Sequence, residues 1–194
     1  MRKRRSKWGL RLFLLLLIVF LLAAAAVWYI RPERPLDMSY SKIAWKDKLT
    51  RMIETRKPEI ELSEEEFNDL AKQKLAQALE SYELPVTING MQFQLAGDLL
   101  TVHIHAEWGS MEIGAAVQYS MGYSAGRLVL NPEAVKVRML SLSPAIFGLE
   151  QVEIDPAPYV PDPVAIENIL FHDRHITIKF TLDWLEIARY LSSY

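Results

Sequence analysis

Four histidines are the residues whose type and spacing come nearest to chemistry. His103 and His105 stand at i and i+2 of an alternating run, so on a strand both imidazoles point to one face; His172 and His175 flank a turn. Neutral imidazoles are zinc ligands where two such pairs meet in space. The alternation with Val102, Ile104 and Ile176 also fits four side chains on a wet face or a turn, and no metal is assigned. Gly109-Ser110 falls between two alternating runs and reads as a hairpin turn, not a nucleophile. Glu64, Glu65 and Glu66 read as a helix start, not an acid/base pair. Asp155 and Asp162 sit in a proline-rich linker without a partner the sequence identifies. No nucleophile elbow, zinc-protease helix, dinucleotide fingerprint or phosphate loop is present. The chain has no cysteine, which excludes disulfides, thiolate metal sites, a cysteine nucleophile and a lipidated cysteine. The expectation is a non-enzymatic protein without a cofactor.

The second kind of chemistry is apolar. Phe67, Leu70, Leu75 and Leu79 form one stripe at helical spacing. Phe93, Val102, Ile104, Ile113 and Val117 recur on one side of alternating strands. The two sets either fill each other as a packed core or, where the sheet curls away, line a groove for an acyl chain. Tyr119, Ile146 and Phe147 are candidates for the mouth of such a groove. Ile146 and Phe147 belong to Pro144-Ala145-Ile146-Phe147-Gly148, which is also suited to the core, a partner or a bilayer.

These residues need particular elements to hold them. Ser63 as N-cap with Glu66 three positions on makes a capping box, and the spacing predicts a helix over 63–80 that ends at Pro85. Period-two alternation then predicts strands over 91–95, 100–108 and 111–119, with Asn89-Gly90, Gly97-Asp98 and Gly109-Ser110 as turn signals. Two further strands, 128–130 and 135–139, are split by Asn131-Pro132. Residues 141–154 are less regular, and 155–163 hold four prolines. A hairpin of 164–171 with 175–182 turns around Asp173-Arg174, and Trp184, Ile187, Ala188 and Leu191 suggest a short C-terminal helix. The expected class is α+β: a helix packed on a curved antiparallel meander, with one sheet face apolar and the other wet.

Of the 194 residues, 1–30 carry six basic and no acidic side chains, and 31–58 carry eight basic and four acidic. Residues 59–194 therefore hold eight basic and twenty acidic, a net of −12 that disfavours nucleic acid. Leu12 to Ile30 are 19 unbroken apolar residues, roughly 28 Å of helix and close to the thickness of a bilayer core. The expected division is a basic cytoplasmic tail 1–11, a transmembrane helix 12–30, a basic stalk 31–58 and an extracytoplasmic domain 59–194. Trp8 marks one interface and Trp28 with Tyr29 the other. Ala23–Ala26 would also suit signal-peptide cleavage, and either route delivers the domain outside. In the stalk, 41–56 can form a helix, either against anionic headgroups or as a solvated linker.

The opening Ile60–Leu75 (IELSEEEFNDLAKQKL), with Ser63, Asn68 and Leu70 directly after an anchor and before strands 86–139, resembles the YpmS-like membrane-anchored extracytoplasmic proteins of Gram-positive bacteria. The resemblance implies an exported, anchored α+β domain with no catalytic set. A long helix cradled by a curved sheet also resembles tubular lipid-binding domains, at the level of fold. The expected function is an envelope protein that binds a lipid-like or amphiphilic ligand in a helix-on-sheet groove. The alternative is an interaction module that tethers or controls an envelope enzyme or assembly.

Overall fold

The computed structural model describes residues 7–32, 35–79, 86–160 and 165–181, with side chains of the first helix described from Leu15 onward. The described residues form an α+β protein with three α-helices and an antiparallel meander. Helix α1 (Lys7–Tyr29) has 23 residues. Every side chain from Leu15 to Leu22 is 41 % to 69 % exposed, so this stretch carries no packed partner among the described residues. Among the described residues, no helix is long and apolar enough to cross a membrane.

Helix α2 (Trp45–Thr55) lies in the segment expected as a stalk, yet Leu49 and Met52 are 0 % and 2 % exposed. Their three-residue spacing puts both on one helix face, and that face is part of the domain core. Arg56 in the left-handed conformation (φ 54°) ends the helix. Strand β1 (Glu59–Ser63) follows; its E-I-E-L-S alternation buries Ile60 and Leu62. Helix α3 (Glu64–Leu79) starts directly from it.

The strands form two antiparallel sheets. The larger is β2 (Thr87–Ala96), β3 (Leu99–Trp108), β4 (Met111–Ser124), β5 (Arg127–Val137) and β6 (Leu140–Leu142) in that order, with β7 (Val152–Ile154) on β5. The smaller has β9 (His175–Thr181) between β1 and β8 (Ala165–His172). One core takes residues from α2 and both sheets, including Phe180, Ile178, Phe93, Leu95 and Met121. Trp184, Ile187, Ala188, Leu191 and Asp162 lie outside the described residues.

Two turn signals are strand interior instead. Asn131-Pro132 sits within β5, where a register shift opposite Gln118/Tyr119 accommodates a residue without an N–H. Asn89-Gly90 sits within β2, and its glycine serves a close approach: a Cβ there would lie 2.2 Å from the Leu36 carbonyl oxygen.

That approach belongs to a strap. The chain leaving α1 crosses the polar face of the larger sheet and bonds to three strands in turn. The Gly114 N–H donates to the Ile30 carbonyl at 2.8 Å, the Leu36 N–H donates to His105 Nδ1 at 3.3 Å, and the Met91 N–H donates to the Asp37 carbonyl at 3.1 Å. Gly90, His105 and Gly114 are direct cross-strand neighbours, so two glycines flank one imidazole as the bed of the strap. A Cβ on Gly114 would meet Pro32 at 2.8 Å. Beside it, the Arg138 guanidinium stands 5.3 Å and 5.2 Å from the Trp28 and Tyr29 rings, within cation–π range.

Candidate functional site

Helix α3 is placed by polar contacts together with a half-buried apolar face, Phe67, Ala71 and Leu75, that packs on the core. The capping box forms: the Glu66 N–H donates to Ser63 Oγ at 3.2 Å, and the Ser63 N–H donates to Glu66 Oε2 at 2.9 Å. Lys48 of α2 reaches Glu66 at 2.7 Å. Burial pushes the Glu66 carboxyl up, but the Lys48 and Ser63 hydrogen bonds outweigh it and hold the group below its ordinary value.

The N-terminal half of α3 is fastened to β2, the edge strand of the larger sheet. Asn68 Oδ1 accepts the Phe93 N–H at 2.7 Å while its Nδ2 donates to the Phe93 carbonyl. One turn earlier Glu64 Oε2 accepts the Leu95 N–H at 2.8 Å. These side chains satisfy an exposed sheet edge as a neighbouring strand would. They hold α3 beside the edge, where it bridges the two sheets.

Beneath the helix lies an apolar cavity of about 400 Å³. Phe67, Leu70 and Leu75 of α3 form its roof, Phe93, Leu100 and Leu130 one wall, and Ile169, Ile176 and Ile178 of the smaller sheet another. Phe67 meets Phe93 edge-to-face, ring centroids 6.1 Å apart. No residue of α3 is fully buried, although Phe67, Ala71 and Leu75 pack against the core. Lys74 also lines the cavity, its ammonium 5.1 Å from the Tyr159 ring, and no carboxylate pairs with it among the described residues. The volume falls in the about 300–1,000 Å³ range of small-molecule sites.

The residues expected to line a groove divide. Phe67, Leu70, Leu75 and Phe93 line the cavity. Leu79 is half-buried and does not line it. Val102 and Val117 are buried, and Ile104 and Tyr119 pack on the core; none of the four faces the cavity. Ile113 is half-buried near the β3–β4 turn. Ile146 and Phe147 are 70 % and 50 % exposed on a short 3-10 turn (Pro144–Phe147), away from the cavity. Sequence reasoning missed the smaller sheet as a wall. Its signal was present in the alternation Ile176, Ile178, Phe180, but which sheet it faced was not.

The histidine pairs do not meet. His105 accepts from the strap, His103 Nε2 stands 3.5 Å from Gln94 Oε1, and His172 stacks on His175 with centroids 4.5 Å apart. Among the described residues, no three His, Asp or Glu side chains are grouped to hold a metal. Both His103 and His105 face a polar cleft of about 600 Å³ under the strap, on the side of the sheet opposite the apolar cavity. Gly109-Ser110 is the β3–β4 turn, with Gly109 at φ 63°. Comparison with protein-family models, curated proteins and solved structures gives no match for this chain.

Proposed function

We propose that this chain is a membrane-anchored, non-enzymatic cell-envelope protein that holds the acyl chain of an anionic amphiphile in the cavity beneath α3. The observation that carries the reading is the cavity itself, a cleft of about 400 Å³ between α3 and both sheets with an almost wholly apolar lining. An apolar cleft of this size loses more water-exposed apolar surface when an acyl chain fills it than when it stays wet, so an apolar occupant is favoured. Lys74 is the cation available to a carboxylate or phosphate head at the rim.

Residues 12–30 serve as the anchor. Their length matches a bilayer core, the side chains of 15–22 are all exposed, and Trp28 and Tyr29 stand near the end of the run as interfacial rings do. The excess of basic residues before the apolar run favours residue 1 in the cytoplasm and the domain outside. The order of anchor, helix and strands, which resembles that of YpmS-like proteins, agrees with this reading.

Thermal unfolding of the detergent-solubilised chain tests it. Palmitate should raise the stability, and with it the midpoint, progressively with concentration, by about 2.7 kcal/mol at a hundredfold excess over Kd. Butyrate, with no chain to fill the cavity, should not, and Lys74→Glu should weaken the palmitate effect. Equal shifts with both acids, or none with either, would refute the reading.

A second reading, a module that binds an envelope protein, draws on Ile146, Phe147 and Val152, exposed at 70 %, 50 % and 43 % along one edge of the larger sheet. A photo-crosslinker at Ile146 in intact cells should then give one discrete protein adduct.

A further inference from the structure

The larger sheet has two hairpin turns at the end where α1 attaches. The β3–β4 turn carries Trp108, 56 % exposed, and the β5–β6 turn carries Met139 and Leu140, 96 % and 50 % exposed. Large apolar side chains at turn tips are unfavourable in water, where turns ordinarily take small or polar residues. Both tips lie beside the exit of α1. Arg138, next to Met139, sits over the Trp28 and Tyr29 rings and donates to the Arg31 carbonyl at 3.4 Å. Gly114, bonded to Ile30, is three residues from Met111, so Trp108 lies about 10 Å from that bond at the rise of a strand.

We infer that the two tips dock on the outer leaflet, with Met139, Leu140 and Trp108 entering its interface beside α1. The inference rests on the reading of 12–30 as the anchor. Trp28 and Tyr29 would then mark the interface, and a guanidinium stacked on those rings holds the Met139 turn at the same depth. The occupant is bilayer, not a protein groove, because the exposed side chains continue from the end of an apolar helix. Glu107 and Glu112 oppose each other one residue inside the β3–β4 tip. Docking is therefore driven by apolar insertion and should persist on uncharged lipid.

The consequence for the cavity is directional. Leu100, in its wall, is eight residues of β3 from Trp108, about 27 Å at strand rise. A docked domain holds the cavity well above the membrane, as suits a carrier that presents its ligand outward.

The chain has no cysteine, so single-cysteine variants give unambiguous labels. Full-length M139C, S124C and L22C would be labelled with an environment-sensitive fluorophore and reconstituted in phosphatidylcholine vesicles. Met139 and Leu22 report the tip and α1, and Ser124 the β4–β5 turn at the opposite end of the sheet. The label at 139 should be quenched by lipids carrying a nitroxide near the headgroup and shielded from iodide at least about twofold relative to 124. Deep quenching at 22 with 139 as iodide-accessible as 124 would overturn docking and leave the anchor intact. Iodide access at 22 as well would remove the anchor, and this inference with it.

Discussion

Asn68 grips the backbone of Phe93 from both sides, accepting its N–H at 2.7 Å and donating to its carbonyl. The contact joins the residue that holds α3 in place to a residue that walls the cavity. It fixes the helix beside the sheet edge, with Phe67, Ala71 and Leu75 turned to the core. Asn68→Ala leaves a donor and an acceptor of β2 without their protein partners, at about 1 kcal/mol for each hydrogen bond lost. The variant should unfold about 2 kcal/mol more easily in urea. Its palmitate stabilisation should fall further than that of a surface variant with equal stability.

The strap depends on two missing side chains. Gly90→Val and Gly114→Val each place a Cβ inside contact distance of strap backbone, 2.2 Å from Leu36 and 2.8 Å from Pro32. Neither neighbour is a flexible side-chain end, so the strap must lift. Overpacking of this kind costs about 1–3 kcal/mol. Limited proteolysis should cut within 31–42 faster in both variants than in Gly122→Val, whose Cβ meets nothing within 4 Å.

The strap is also tied to pH. Burial holds the His105 imidazole below its ordinary value of 6.5, the nearby His103 lowers it further, and Glu112 opposes both. In the native state Nδ1 must be unprotonated to accept the Leu36 N–H. The unfolded imidazole takes a proton first as pH falls, so the contribution is complete above about 6.5 and lost as pH drops through the lower native value. Hydrogen exchange at Leu36, corrected for intrinsic rate, should accelerate over that window. His105→Phe should show weaker protection at neutral pH and no acid-dependent change.

What could be read from the sequence was what short-range physics determines. The Ser63/Glu66 box and the alternation through Leu100–Trp108 and Met111–Tyr119 involve neighbours a few residues apart, and the structure has them. Strand β1 escaped notice because five residues are too few to outweigh the helix signal that follows. Gly90 looked like a turn because its real constraint comes from Leu36, more than fifty positions away in the chain. Leu49 and Met52 looked like one side of a stalk helix, on headgroups or in solvent, because their charged neighbours dominate the composition of 31–58. For the cavity, the roof stripe of α3 was legible. The wall from Ile169, Ile176 and Ile178 required knowing that β9 pairs with β1.

Occupation of the cavity is measured directly by native mass spectrometry of the full-length chain, released from detergent. Wild-type protein should carry one acyl-containing adduct. Ala71→Phe, which fills the cavity from its roof, should fold with an unchanged or raised unfolding midpoint and carry none. A wild-type chain of bare polypeptide mass, or an adduct kept equally by Ala71→Phe, would contradict the account.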